Sequence, residues 1–138
     1  MELDDLIYNK IVKLSNEGDD FVSHCKFDEA ILKYEKALDL LPSSHYLWEA
    51  ATWLYVAIGD AYFLEQKFEN ALNFFLEAQK CPNALANPFI YVRIGECFYE
   101  KGNFIKAKEN LLSAYMLDGE DVFSDADPKY LKYIKQII

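Results

Sequence analysis

Three glycines, Gly18, Gly59 and Gly95, each precede the same succession of side chains, and this repeat constrains the fold more than any other feature. An aromatic residue follows each glycine after three positions, a phenylalanine after nine, alanines after twelve and nineteen, and a large apolar residue after sixteen. These residues are Phe21, Phe27, Ala30, Tyr34 and Ala37; Tyr62, Phe68, Ala71, Phe75 and Ala78; and Phe98, Phe104, Ala107, Leu111 and Ala114. Such agreement in three registers indicates a chain built from one repeated unit.

The spacing of these side chains is that of paired helices. Offsets of three, four and seven residues return to nearly the same face of an α-helix. The alanines let two helices approach closely, and the aromatic residues fill the space around them. A short polar turn divides each unit, at residues 24–27, 65–68 and 100–104. Each unit is therefore predicted to be a helix-turn-helix hairpin, and the hairpins are predicted to stack because one hairpin cannot bury both apolar faces.

The series of glycine, aromatic residue, alanine, large apolar residue and alanine resembles the tetratricopeptide repeat (TPR) family, in particular small stand-alone TPR proteins of bacterial type. The family's closing proline is matched by Pro42, lies one residue early at Pro82, and is replaced by Gly119 in the third unit. The resemblance implies an all-α fold of three TPR-like hairpins, stacked as a right-handed solenoid with a C-terminal capping helix. The units are predicted at residues 11–44, 52–85 and 88–121 of a single domain, residues 1–138.

The spacing between the units departs from the family pattern. The unit starts are 41 and 36 residues apart, whereas TPR units span about 34 residues. The longer insertion, His45–Ala51, is apolar and contains no proline or glycine. It is predicted to add two turns to the start of the second unit's first helix.

Both ends of the chain are predicted to be helical. Residues Glu2–Lys10 carry apolar side chains at helical spacing and are predicted to extend the first helix backwards. Asp127 followed by Pro128 is typical of a helix start, because aspartate caps the first turn and proline fits within it. A capping helix is predicted over residues 127–138, which makes seven helices in all. Its buried side is predicted to carry Leu131, Ile134 and Ile138.

The TPR resemblance implies that the first helix of each unit lines a concave groove. The family's groove positions correspond here to Val12, Asp19, Trp53, Val56, Asp60, Phe63, Phe89, Val92, Arg93, Glu96, Tyr99 and Glu100. The residue after each repeat glycine is acidic in all three units, which predicts a row of carboxylates beside an aromatic lining. Such a groove suits a partner polypeptide that carries lysine or arginine among apolar residues.

A second interpretation of the same residues is structural. The acidic side chains of the row, Asp19, Asp60 and Glu96, would then only solvate the surface or pair with Arg93 and nearby lysines. The apolar positions Val12, Trp53 and Phe89 would pack against the next unit as core.

The sequence also departs from the carboxylate clamp of the TPR family, in which lysine, asparagine and arginine hold an acidic C-terminal tail. Acidic residues stand where the clamp has asparagine after the glycine, and Arg93 is the one suitable cation. An acidic chaperone tail is therefore not the expected ligand.

Composition narrows the classes of partner. The chain has 138 residues, 52% of them hydrophobic, and a net charge of −9. That apolar content is ample for a packed core, but the acidic charge argues against nucleic acid or an anionic membrane as the partner. The most apolar stretch, Ala50–Gly59, is ten residues long, and a membrane span needs about 20. The N-terminal residues carry no secretory signal pattern.

Cysteine and histidine usage favours a reducing compartment without a metal. The three cysteines, Cys25, Cys81 and Cys97, form no even or CxxC pattern, which is typical of a cytoplasmic protein. The two histidines, His24 and His45, show no metal-ligand spacing, so neither a metal nor another cofactor is expected.

No enzymatic motif is recognisable. His24 and Cys25 are adjacent, and neighbours on a helix point about 100° apart, so they do not form a catalytic dyad. The sequence contains no P-loop, GxGxxG or GxSxG. A non-catalytic protein is therefore expected.

The leading functional prediction is a protein-interaction module or adaptor that binds a cationic, partly apolar partner in the groove. A first alternative follows from resemblance to bacterial TPR-like proteins in toxin-linked gene clusters, and is an immunity protein that neutralises a basic toxin domain. A second alternative is a self-assembling structural protein, such as a homodimer, joined through Ile137, Ile138 or the region of Trp48 and Trp53.

Overall fold

Seven α-helices and three short 3-10 helices form the chain in a computed structural model that describes residues 2–138. The α-helices are α1 (Asp5–Ser23), α2 (Phe27–Asp39), α3 (Glu49–Leu64), α4 (Phe68–Ala78), α5 (Pro88–Glu100), α6 (Phe104–Asp118) and α7 (Pro128–Lys135). The 3-10 helices are His45–Leu47, Ala84–Ala86 and Asp121–Phe123. The predicted all-α fold with seven helices is confirmed, and no strand occurs within residues 2–138.

The three repeat glycines lie where the two helices of each hairpin cross. Each faces the large residue sixteen positions later. A Cβ atom at Gly59 would lie 2.7 Å from the Phe75 ring, which is closer than real Cβ contacts come. The same holds for Gly18 against Tyr34 and for Gly95 against Leu111, both at 2.6 Å. These positions therefore require glycine, because the two helices approach too closely to leave room for a side chain.

The alanines of the repeat line the interior of each hairpin, as predicted. All six are fully buried: Ala30, Ala37, Ala71, Ala78, Ala107 and Ala114. Phe75 and Leu111 are likewise inaccessible to solvent. Small residues on one helix and large residues on the other thus fill the space at each crossing.

The hairpin turns share one backbone conformation. Cys25, Gln66 and Gly102 each have a positive φ, between 58° and 81°. The residue that follows each of these three donates its backbone amide to a carbonyl of the preceding helix. The acceptor is the aromatic residue three positions after the repeat glycine. These hydrogen bonds join Lys26 to Phe21, Lys67 to Tyr62 and Asn103 to Phe98, at 2.8–2.9 Å. This left-handed closure is the common way to satisfy the last carbonyl groups of a helix.

The insertion between the first two hairpins is not the two added helical turns that were predicted. Residues His45–Leu47 form a 3-10 turn, Trp48 is extended, and α3 begins at Glu49. The Trp48 side chain is only 8% exposed, and its indole N–H donates to the Pro42 carbonyl at 2.7 Å. Burying this large ring in the core stabilises the fold more than extending the helix by two turns would.

Helix α7 is shorter than predicted. Asp127 caps it by accepting from the Lys129 amide at 3.0 Å, and the helix ends at Lys135. Its buried residues are Tyr130 and Ile134, whereas Ile138 is 60% exposed. The predicted buried side was therefore wrong at Ile138, because the helix stops before that residue could face the core.

The helices pack in chain order. The core divides into a cluster between the first two hairpins, one around α4 and α5, and one that joins α5 and α6 to α7. Besides the contacts within each hairpin, α2 packs on α3 and α4 packs on α5. This arrangement leaves the first helices of the hairpins, α1, α3 and α5, to line a common surface. No helix in residues 2–138 combines the length and apolarity needed to cross a bilayer.

Candidate functional site

Three cavities follow the surface formed by α1, α3 and α5, which we call the groove. The first cavity, of about 500 Å³, lies between the start of α1 and the start of α3. The second, of about 180 Å³, lies between α3 and residues 82–87. The third, of about 340 Å³, lies between the end of α3, α5 and residues 125–130. Trp53 lines both the first and the second cavity and joins them.

The first cavity is acidic and aromatic. Its lining residues are Glu2, Leu3, Asp5, Tyr8, Trp48, Glu49, Ala50 and Trp53. Three of these carry carboxylates and none is basic, so the cavity favours a cation. Aromatic faces beside carboxylates favour a lysine or arginine side chain in particular, because such rings attract cations.

Sequence reasoning missed Asp5, Tyr8 and Glu49 as groove residues. Glu49 precedes Trp53 by one helical turn, and Asp5 and Tyr8 share one side of α1 by their spacing of three. These helical spacings can be read directly from the sequence. Their approach across the gap depends on the loop around Trp48, which was predicted wrongly.

Arg93 lies between α3 and α5 and lines the third cavity. Its Nε donates to Asp60 Oδ1 on α3 at 2.8 Å, and its Nη1 donates to Glu96 Oε1 on its own helix at 3.1 Å. The guanidinium carbon lies 4.3 Å from the ring centroid of Phe63 and 5.0 Å from that of Phe89. Five predicted groove residues are thus brought into one cluster.

The predicted row of free carboxylates is interrupted by this cluster. Asp19 is exposed and accepts from the Tyr34 hydroxyl at 2.6 Å, but Asp60 and Glu96 are both paired with Arg93. Glu96 is 0% exposed, so it does not present a charge to solvent. The second interpretation of the sequence, pairing with Arg93, therefore holds for two of the three acids.

Burial governs the charge of Glu96. It raises the pKa of this carboxyl to about 7, although Arg93 opposes the change. The pKa of Asp60 is raised for the same reason, again opposed by Arg93. One oxygen of Glu96, Oε2, is buried and has no hydrogen-bond partner among the described residues. The cluster therefore carries less negative charge than two isolated carboxylates would.

The raised pKa of Glu96 predicts a pH effect on stability. The folded state holds the Glu96 proton between about pH 4.5 and 7, whereas the unfolded state releases it near pH 4.5, so stability falls as pH rises through this window. We expect the unfolding free energy of wild type minus that of Glu96→Gln to fall by about 1–3 kcal/mol over this range. Urea titrations at several pH values measure the difference.

Glu100→Gln is the control for this measurement. Burial works against ionisation of Glu100, but hydrogen bonds from Lys129 and Tyr130 outweigh it and lower its pKa. The corresponding difference for Glu100→Gln should therefore rise with pH only up to about pH 5 and stay level from there to pH 7, because both the folded and the unfolded state have then lost the proton. Parallel pH profiles for wild type and Glu96→Gln would contradict the assignment.

Helix α7 covers the C-terminal end of the groove. The Tyr99 ring packs edge-on against Tyr130 and Tyr133 at 5.4 and 5.3 Å. Glu100 accepts from the Tyr130 hydroxyl at 2.6 Å and pairs with Lys129. At this end the chain itself occupies groove positions that were predicted to contact a partner.

The other residues predicted to line the groove differ in whether they line a cavity or are buried in the core. Trp53 and Val56 line the second cavity and are half-buried. Val92 is buried in the core cluster that includes Tyr130. Val12 and Asp19 lie on α1 and line none of the three cavities. The groove is therefore open mainly along α3.

The buried thiols are not poised as nucleophiles. Burial raises the pKa of Cys97 to about 12 and that of Cys81 to about 11. Both therefore stay protonated at neutral pH, and the thiolate is the reactive form of cysteine. Their role in the fold is packing.

Solved TPR domains match the fold over nearly the whole chain. The first TPR of Spaghetti (RPAP3), bound to the HSP90 peptide SRMEEVD, has 20% identity and a TM-score of 0.71, and the match covers 94% of this chain and 93% of that one. The Yersinia enterocolitica type III secretion chaperone SycD, in complex with a peptide of the translocator YopD, has 15% identity, a TM-score of 0.75 and coverages of 94% and 92%. The Arabidopsis OM64 TPR domain has 15% identity, a TM-score of 0.75 and coverages of 96% and 99%.

These likenesses show the fold. The chain has a TPR-like fold of stacked helical hairpins, as the repeat in the sequence predicted. No protein-family model matches the sequence, and a search of curated proteins finds no match.

Proposed function

We propose that the protein is an interaction module whose groove binds a partner polypeptide with lysine or arginine side chains among apolar residues. The first cavity carries this proposal, because three carboxylates and two tryptophans line it without any basic side chain. Opposite charge speeds the encounter with a cationic partner, and the aromatic residues supply the apolar contact area.

The structural neighbours support peptide binding as the mode of action. The TPR domain of Spaghetti (RPAP3) is bound to an HSP90 peptide, and SycD is in complex with a YopD peptide. In this chain an extended peptide would lie along α1, α3 and α5. The acidic and aromatic lining of the first cavity suits recognition of such a peptide.

The charge distribution argues against an acidic ligand. Arg93 is already paired with Asp60 and Glu96, so it has no free charge to offer a carboxylate. An acidic tail would also meet Glu2, Asp5 and Glu49 at the first cavity. The proposed partner therefore differs in charge from the HSP90 peptide SRMEEVD.

The proposed setting is the cytoplasm, without a cofactor. Cys25, Cys81 and Cys97 are all free thiols, and Cys25 is exposed. Exposed thiols persist in a reducing compartment. The proposal includes neither nucleic acid nor membrane as a partner, because the net charge of −9 would repel both.

Trp53→Ala is the direct test. We expect peptides selected by display against the wild-type protein to be enriched in lysine or arginine flanked by apolar residues. Trp53→Ala should weaken their binding at least tenfold, because central aromatic residues dominate such interfaces. Isothermal calorimetry with a selected peptide measures the loss.

Leu32→Ala is the matched control. Leu32 is exposed on α2, a second helix of a hairpin, and lies outside the three cavities. Leu32→Ala should leave the affinity for the selected peptide unchanged. Equal losses for Trp53→Ala and Leu32→Ala, or selection of acidic peptides, would count against the proposed function.

The two alternatives from the sequence remain predictions with separate tests. Self-assembly would use Ile137 and Ile138, which are exposed, or the tryptophan region, of which Trp48 is buried. Sedimentation over a range of concentrations detects it. Neutralisation of a basic toxin would show as rescue of cell growth when a neighbouring toxic gene is co-expressed.

A further inference from the structure

Lys129 already occupies a cation site inside the groove. Its ammonium group pairs with the Glu100 carboxylate. It also lies 5.2 Å from the ring centroid of Tyr130 and 5.7 Å from that of Tyr99. A carboxylate between aromatic rings is a recognised arrangement for binding an alkylammonium ion. The contacts of Lys129 thus indicate that this end of the groove can bind an ammonium group.

The contact made by Lys129 is easily exchanged. Its side chain is 43% exposed, so water screens the ion pair. Exposed ion pairs contribute little to stability, since the charges are solvated in either state. A second cation that brought additional contacts could therefore replace Lys129 at little cost.

The third cavity offers those additional contacts. Its acidic and basic lining residues are four carboxylic acids, Glu96, Glu100, Asp125 and Asp127, and two cations, Arg93 and Lys129. Phe63, Leu64 and Phe68 provide an apolar wall for a methylene stem. Among these carboxylates, the buried Glu96 Oε2 has no hydrogen-bond partner within residues 2–138. An orphaned buried oxygen beside a cavity is satisfied most directly by an incoming donor.

We propose that the third cavity binds a lysine side chain of the partner polypeptide, which displaces Lys129 from Glu100 and Tyr130 and extends towards the unpaired oxygen of Glu96. This inference rests on the proposed function and specifies one of its contacts. Lys129 then acts as an internal competitor that leaves for solvent when the partner binds.

The geometry favours lysine over arginine. Arg93 already holds Oε1 of Glu96 and stacks on Phe63, so only the second oxygen of Glu96 remains for another cation. An ammonium is a compact charge with three donors on a flexible stem, whereas a guanidinium needs a planar pair of acceptors. A single unpaired carboxylate oxygen suits the ammonium better than the guanidinium.

The test uses a short peptide probe and one lysine substitution. The probe is acetyl-Leu-Lys-Leu-amide, with acetyl-Leu-Gln-Leu-amide as its neutral counterpart, titrated into the ¹⁵N-labelled full chain. We expect the lysine probe to bind at least fivefold more tightly and to shift the amides of Glu100, Asp127 and Lys129. Lys129→Met should tighten the lysine probe about three- to tenfold by removing the internal competitor.

Lys132→Met is the matched control, because Lys132 lies exposed on α7 outside the third cavity and its loss changes the net charge equally. It should leave the affinity within twofold of wild type, and Glu100→Gln should abolish the preference for lysine. Equal binding of both probes, or identical effects of Lys129→Met and Lys132→Met, would overturn the inference. If Trp53→Ala still abolished binding of the selected peptides, the proposed function would stand without this pocket.

Discussion

Replacing Phe75 by alanine is expected to lower the free energy of unfolding by about 3–5 kcal/mol. The ring is 0% exposed and fills the crossing of α3 and α4 against Gly59. Partial collapse cannot restore its contacts, because helices of neighbouring hairpins hold α3 and α4 in place. Urea denaturation followed by circular dichroism measures the loss. Leu76→Ala, at a partly exposed position on the same helix, should cost less than about 1 kcal/mol.

A double-mutant cycle with Gly59→Ala tests the same crossing. In the wild-type background the added methyl group meets the Phe75 ring, so Gly59→Ala should destabilise by about 1–3 kcal/mol. In the Phe75→Ala background that clash is absent, and alanine should stabilise α3 by up to about 1 kcal/mol through its helix propensity. Additive effects of the two substitutions would show that Gly59 and Phe75 do not meet as described.

Arg93→Met is expected to destabilise the protein by roughly 3–5 kcal/mol at pH 8, because it leaves two poorly solvated carboxylates without their cation. The carboxylates are Asp60 and Glu96, and burial already raises the pKa of both. Without Arg93 both pKa values should rise further, so the loss should shrink as pH falls towards 5 and the carboxyls protonate. Chemical denaturation at pH 5 and pH 8 measures both effects.

The triple variant Asp60→Asn, Arg93→Met, Glu96→Gln separates charge from packing. Because it removes the uncompensated charges, it should recover a large part of the stability lost in Arg93→Met at pH 8. A loss that is independent of pH and unchanged in the triple variant would mean that Arg93 acts through its contacts with Phe63 and Phe89 instead.

The hairpins could be predicted from the sequence because their contacts are local. Each repeat glycine meets the residue sixteen positions later, so one fixed offset encodes each crossing. The alanines of the repeat are buried for the same reason. Periodicity reports such contacts directly, since both partners belong to one helix-turn-helix unit.

The loop before α3 could not be predicted in this way. Its conformation depends on Trp48, which is buried in a core shared with the first hairpin. Residues 45–51 contain no helix breaker, so local propensity favoured a helix there. Burial of the Trp48 ring in the core determines the conformation of this loop, and helix propensity alone does not predict that burial.

The helices that carry the three acids could be predicted from the sequence, but the pairing of these acids could not. The acids after the repeat glycines lie on the first helices, as expected, but the Arg93–Asp60 bond joins two helices. The cover over Tyr99 and Glu100 likewise comes from a segment thirty residues later in the chain. Contacts of this kind depend on how the units stack, and no single repeat encodes them.

The most direct test of the account is to map where a selected peptide touches the protein. A peptide that carries a photoreactive benzophenone, cross-linked and mapped by mass spectrometry, locates the contact to a few residues. We predict cross-links to α1, α3 and α5, concentrated around Trp53 and Val56. Cross-links confined to α2, α4 and α6 would contradict the claim that the groove is the binding surface.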